Sequence, residues 1–247
     1  MSVRQLDRGA VHRAIKLLRL AGRRRAWRGL RHGVGASLEY APLIAPLAFS
    51  TVVDVGANVG QFALLATLLR PNARVFSFEP LARPAAVFER VFADAPNVTL
   101  IRAAIGPEEA RAAMHVSGRD DSSSLLPIGA LQAEAFPGTG EVGREEVAIA
   151  PLDRFLAADD IAPPALLKLD VQGYELEALR GCAPLFGCFA HVFVEVSYAP
   201  FYDGQALAND VTDYLAGRRF EPIETRPSLV DDAGRPLQAD VLFRATA

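Results

Sequence analysis

The 247-residue chain contains no apolar run of about 18 residues, the length that a membrane-spanning helix needs. Arginines interrupt the N-terminus throughout, so no clean signal-peptide hydrophobic region stands out. Cysteine is nearly absent: Cys182 and Cys188 are the only two, and no CxxC spacing occurs. That excludes a disulfide framework and suits reduced thiols in a cytoplasm. Two phosphate-binding signatures are also missing. There is no full GxGxxG, and no GxxxxGK[ST] with its lysine. Neither an internal repeat nor a long low-complexity tract is present.

What is there is ordinary globular composition, 51% hydrophobic and 22% charged. The length suits one large domain, or one domain with an extension. Arginine far outnumbers lysine and alanine is abundant, a bias expected of a GC-rich bacterial genome. The net charge of −3 conceals an asymmetry. Residues 1–38 carry ten Arg or Lys and one acid, Asp7, hence +9, which leaves −12 for the remainder. Within residues 10–31, Val11, Ala14, Ile15, Leu18, Ala21 and Ala26 recur among arginines at nearly helical spacing, which predicts a basic amphipathic helix. Three roles fit it: packing on the domain or on a second subunit in a homo-oligomer, contact with an anionic membrane surface, or nucleic-acid binding. The absence of an aromatic-rich RNA platform argues against the last. Residues 1–50 form this helix and a Gly/Pro-punctuated connector, and residues 51–247 form the domain.

From residue 51 strand-like and helix-like segments alternate. "TVVDV", "ARVFSFEP", "VTLIRAAIG", "ALLKLDV" and "HVFVEVSY" read as the main strands, with "FEPIE" and "VLFRA" closing the sheet. "QFALLATLL", "RPAAVFERVFADA", "PLDRFLAADDI", "YELEALRGC" and "QALANDVTDYLAGRR" read as helices. Between them, "RAAMHVS" and "EEVAIAPL" predict two further strands around a polar stretch and a Gly/Pro-rich loop. Such alternation builds a parallel α/β sheet with helices on both faces. Its ligands bind at the carboxyl ends of the strands.

Four features converge on that edge. "VVDVGANVGQF", residues 52–62, leaves a strand at Asp54 and bends through Gly56, Asn58 and Gly60, where missing side chains let the backbone approach a ligand. "FSFEP" ends the second strand at Glu79, a position from which a carboxylate accepts both hydroxyls of a ribose. Together they predict an adenosine-containing ligand. "LLKLDVQGYELEALRG" places Asp170 at the end of the fourth strand, facing the same crevice. Glu195 lies inside the apolar strand "FVEVS", where a carboxylate is costly unless partnered and is often a site group.

These stretches, with the paired serines of "DDSSSLL" and with "PLDRFL", occur in an order and spacing that resemble the FkbM family over about residues 50–223. The resemblance implies a class I methyltransferase (Rossmann-like) fold, a seven-stranded, mostly parallel sheet with its last strand antiparallel. It implies S-adenosyl-L-methionine as cofactor. It also implies methyl transfer, usually to an oxygen, on a sugar, glycolipid or polyketide-type natural product. By the same resemblance Asp54, Gly56, Asn58 and Gly60 surround the methionine part of the cofactor and Glu79 holds the ribose. Ala104 and Ile105 line the adenine, Ser123 and Ser124 sit over the site, and Asp170 lies near the reacting end. Gln172 departs from the family, which usually has glutamate there.

An alcohol acceptor must lose a proton, so a general base is sought. Asp170 and Glu195 are the catalytic candidates, followed by His191 and His115. No metal is expected, because the acids do not complete a set of oxygen ligands. The partner is a small-molecule or glycan acceptor, and the setting cytoplasmic, with possible attachment to the inner membrane through the basic helix. Two other functions compete: methylation of protein or RNA, against which the missing NPPY after the fourth strand argues, and a non-catalytic cofactor-binding module.

Overall fold

The computed structural model describes residues 3–5 and 24–246. Its main sheet is built from β1 (Val3–Gln5), β2 (Thr51–Val55), β3 (Arg74–Phe78), β4 (Val98–Ile101), β8 (Ala165–Leu169), β9 (Phe189–Ser197), β10 (Phe220–Asp231) and β11 (Pro236–Ala245). The strand order is β1-β10-β11-β9-β8-β2-β3-β4. β2, β3, β4, β8 and β9 are mutually parallel, whereas β11 runs antiparallel to both β9 and β10. This is the expected seven-stranded sheet with one reversed strand, and β1 adds an eighth by pairing with the free edge of β10.

β2 and β8 are buried on both faces along their whole length, as central parallel strands are. Chain order reverses between them: β3 and β4 extend one way from β2, β8 and β9 the other. The loops after β2 and β8 therefore border a crevice at the switch point. One face of the sheet is covered by α6 (Glu175–Cys182) and α7 (Ala208–Ala216), through Ala178, Leu179, Val211 and Leu215. The other is covered by α1 (Arg24–Arg31), α2 (Ala41–Ile44), α3 (Gln61–Leu69) and α4 (Ala82–Phe92). Ala26, Val34, Leu43 and Ile44 lie in one core with Val52, Leu65 and Phe88, so residues 24–50 pack directly on the sheet and its helices. Arg28 pairs with Asp94 at 2.8 Å, and Arg25 donates to Asn97.

A second sheet, in the order β5-β7-β6, joins β5 (Ala104–Ile105), β7 (Glu141–Ala150) and β6 (Ala110–Ser117). It carries a short helix, α5 (Ala130–Ala135). A third apolar cluster, Phe201, Tyr202, Leu229 and Leu237 with Leu126, Ile128 and Phe136, packs this insert against the β9–α7 loop and the β10–β11 hairpin.

Several expectations need correction. Of the helix expected over residues 10–31, residues 24–31 are helical, and residues 6–23 lie outside the described residues. The strand expected over 98–106 is two strands, because a tight turn (Ala103 N–H to the Ile101 carbonyl, 3.0 Å) sends Ala104 and Ile105 into the second sheet. "PLDRFLAADDI" is a pair of single 3-10 turns, Leu152–Arg154 and Ala158–Asp160. The Asp160 carboxylate accepts the Ala157 N–H at 2.9 Å and starts a new turn where a continuous helix would need that N–H inside its ladder. The helix α5 was not foreseen.

Candidate active site

The crevice at the switch point is a cleft of about 350 Å³. Its floor comes from the loops after β2, β3, β4 and β8 and from Glu195 within β9. One wall comes from the connector (Ser37, Glu39, Tyr40) and the other from the insert, including Met114, Arg119, Ser123 and Gln132.

After β2 the Gly56 and Ala57 N–H groups donate to the Phe78 carbonyl at 3.0 and 2.9 Å, which folds the chain back over β3. Gly56 stands at φ 78°, and a Cβ there would sit 1.9 Å from the Asp170 carbonyl oxygen. The β2 and β8 loops touch backbone to backbone, so only glycine fits. Asn58 is also left-handed, at φ 47°, a conformation asparagine tolerates better than most residues. Its N–H donates to Glu79 Oε2 at 2.8 Å, and the Leu81 N–H donates to Glu79 Oε1 at 2.9 Å. Each oxygen thus accepts one backbone donor and keeps a lone pair for a ligand. Glu79 is 5% exposed. Burial raises its carboxyl to about 7, against the lowering effect of those two backbone donors.

Beneath the turn, Asp54 is wholly buried and pairs with the Lys168 ammonium at 3.1 Å. Lys168 also donates to the Gly56 carbonyl at 2.8 Å and lies 4.0 Å from Asp170 Oδ2. Burial works against the Lys168 charge, but Asp54 and then Asp170 outweigh it and raise its pKa. Burial pushes the Asp54 carboxyl up, opposed by Lys168. The pair holds the glycine turn from below. Lys168 was missed in the sequence, although it breaks the apolar run "ALLKL" and is one of only two lysines in an arginine-rich chain.

Asp170 follows β8, with its side chain 36% exposed to the cleft. Gln172 Nε2 donates to Asp170 Oδ1 at 2.8 Å. Glu175, buried in the first turn of α6, accepts the Val171 and Gly173 N–H groups at 3.2 and 3.1 Å and fixes this loop. Glu195 lines the cleft from β9, opposite Asp240 of β11. Burial, then Asp170 and Asp240, hold its carboxyl well above the usual range, and Gln238 Nε2 of β11 lies 3.4 Å from Glu195 Oε2. Tyr40 packs edge-on over Phe193 at 5.0 Å, and burial followed by Asp240 and Asp170 raises its phenol.

Of the residues expected to bind cofactor, the structure brings Gly56, Asn58, Glu79, Ala104, Ile105 and Asp170 to the cleft. Asp54, Gly60 and Ser124 are not among its lining residues. Asp54 lies under the turn. Gly60, at φ 95°, opens α3, where a Cβ would meet the Phe92 and Phe88 rings at 2.5 and 2.9 Å. Ser124 is fully buried and bridges to His115, its Oγ taking the Leu126 N–H at 3.0 Å. Its neighbours Ser122 and Ser123 line the cleft instead. Both histidines lie off the cleft: His115 Nδ1 sits 2.6 Å from Glu141, and His191 is in register with Arg244 at the far end of β9. Among the described residues no group of three or more His, Cys, Asp or Glu is arranged to hold a metal.

An adenosylated cofactor fits these residues. Glu79 keeps acceptor capacity for a diol, Gly56 leaves room against the turn, and Asn58 Oδ1 is buried without a partner.

Comparison with known proteins agrees. The profile of the methyltransferase FkbM domain matches residues 54–222. The 2-O-methyltransferase NoeI of Sinorhizobium fredii (strain NBRC 101917 / NGR234) is 25% identical over 201 residues, which cover 79% of each chain. Methyltransferase 1 of Beauveria bassiana (strain ARSEF 2860) is 29% identical over 152 residues, covering 53% of this chain and 58% of its own. Among solved structures, the glycopeptide N-methyltransferase MtfA complexed with S-adenosyl-L-methionine superposes with a TM-score of 0.45 at 12% identity, over 86% of this chain and 88% of its own. With the reversed-strand sheet and the glycine turn facing Glu79, the profile match over residues 54–222 makes the chain a member of the FkbM methyltransferase family with S-adenosyl-L-methionine as its cofactor.

Proposed function

We propose that the protein O-methylates a hydroxyl of a sugar, glycolipid or polyketide-type natural product, with Asp170 as general base. The observation that carries this reading is the Asp170 carboxylate, open to the cleft and held by Gln172 directly across from the Gly56 turn. The 2-O-methyltransferase activity named for NoeI supports oxygen as the acceptor atom. When bound, S-adenosyl-L-methionine supplies a methyl group on a sulfonium, open to in-line displacement. Glu79 holds the ribose, and the Gly56–Asn58 turn borders the methionine tail. Asp170 Oδ2 takes the hydroxyl proton, while Glu195 and Gln238, side by side on the cleft wall, orient the acceptor by hydrogen bonds. Positioning of this kind supplies much of the acceleration in a displacement.

The cofactor half of this reading is tested by calorimetric titration. Glu79→Ala is expected to weaken S-adenosyl-L-methionine binding by about a hundredfold or more, from two lost hydrogen bonds to a charged acceptor. Unchanged affinity in a folded variant removes Glu79 from the ribose site. The same titration across pH carries a sign. With the Glu79 carboxyl at about 7 in the free protein, the carboxylate that accepts from the ribose is depleted as pH falls below 7. Affinity is expected to weaken from pH 8 to pH 6, and to stay level in Glu79→Gln.

A further inference from the structure

Gln172 holds a left-handed backbone, φ 55°, immediately before Gly173 at φ 96°. Glutamine rarely adopts that region, so the loop must be over-determined by its surroundings. The side chain shows how. Its Nε2 donates to Asp170 Oδ1 at 2.8 Å, and its Oε1 accepts the Tyr202 hydroxyl at 2.7 Å. The amide cannot be turned round. An ionised carboxylate only accepts hydrogen bonds, so the NH₂ end must face Asp170 and the carbonyl end must face Tyr202.

Tyr202 is itself fixed. It is 1% exposed in the cluster that packs the insert onto the domain. Its ring lies so close over Gly173 that a Cβ there would stand 2.9 Å away. Its hydroxyl also lies 3.1 Å from the Ser122 carbonyl, part of the opposite wall of the cleft.

We infer that Gln172 is a positioning residue for Asp170, held by Tyr202. It occupies Oδ1 and leaves Oδ2 to face the acceptor, and it ties that orientation to the insert wall through the hydroxyl that lies against Ser122. This rests on the reading of Asp170 as the base. In this chain the amide supplies a donor to Asp170 without adding a charge. Asp170 is already faced by Asp54 and Lys168 from the sheet, Glu175 from α6, Glu195 from β9 and Tyr40 from the connector. A carboxylate at 172 would add an anion and remove the donor.

The test uses the full chain carrying ¹³C-labelled aspartate, with the Asp170 carboxyl resonance assigned by its loss in Asp170→Asn. Turnover is followed with methyl-labelled S-adenosyl-L-methionine and a mixed sugar and glycolipid extract. Gln172→Glu is expected to raise the midpoint of the Asp170 resonance by about one pH unit or more, as a second carboxylate does. Gln172→Met and Tyr202→Phe, which keep the packing, are expected to lower kcat about tenfold to a hundredfold, with cofactor affinity within about twofold of wild type. Midpoints and kcat unchanged in all three variants overturn the inference. If instead Asp170→Asn is fully active, the base assignment fails, while the carboxyl titration still decides whether Gln172 holds Asp170.

Discussion

Asp170→Asn is expected to lower methyl transfer by about 10²- to 10⁴-fold, the usual worth of a positioned general base, without unfolding the protein. Asparagine has the shape of aspartate and can still accept the Gln172 N–H that now reaches Oδ1 at 2.8 Å. What it loses is the second oxygen, Oδ2, 4.0 Å from the Lys168 ammonium, whose place an amide NH₂ takes. The loss should fall on kcat, with S-adenosyl-L-methionine affinity nearly unchanged, because the ribose and methionine contacts proposed above are on the β2 and β3 loops. Glu195→Gln supplies the contrast. Burial and the nearby Asp170 and Asp240 raise the Glu195 carboxyl well above the usual range and disfavour its charged form, so turnover should fall far less with an amide there. Single-turnover kinetics on the two variants separate them. A fully active Asp170→Asn enzyme removes Asp170 from the chemistry, and a larger loss in Glu195→Gln transfers the role to Glu195.

Lys168→Met is expected to cost about 3–5 kcal/mol of folding stability, the penalty for removing one partner of a buried ion pair. Against a total of about 5–15 kcal/mol for an ordinary domain, that is close to unfolding. Asp54 would be left fully buried beside Ser77 Oγ at 3.5 Å, and the Gly56 carbonyl would lose its 2.8 Å donor. The damage is double, because the same ammonium supports both the carboxylate and the turn. Pairing the substitution with Asp54→Asn should return a large part of the loss, since no buried charge then stands alone. Urea unfolding of the two single variants and the double variant gives the coupling directly. A Lys168→Met protein within about 1 kcal/mol of wild type would mean that Asp54 is not held by this pair.

The sheet and the cofactor edge were legible in the sequence because their signals are local. Gly56 and Asn58 stand in a bend between an apolar strand and a helix, and Glu79 closes a strand of the same kind. Alternation alone puts them on one edge. Asp170 followed for the same reason. Lys168 was legible on the ground used for Glu195, a charge inside an apolar strand, and went unread because its partner lies 114 positions away in the chain. Tyr202 and Gln172 form a contact 30 residues apart, and nothing in either local stretch announces it. Ser124 was misplaced by its neighbours: three consecutive serines offer no periodicity, and the bridge to His115 turns Ser124 inward while Ser122 and Ser123 line the cleft. The departure at Gln172 brings a hydrogen bond of its own, since its amide donates to Asp170 Oδ1 at 2.8 Å.

The most direct test supplies the protein with methyl-labelled S-adenosyl-L-methionine and a bacterial extract divided into carbohydrate, glycolipid, protein and RNA fractions. The proposed O-methylation predicts label in the carbohydrate or glycolipid fraction, in a form that survives mild alkali as a methyl ether does, and its loss with Asp170→Asn. Label confined to protein or RNA, or transfer undiminished in that variant, would contradict it.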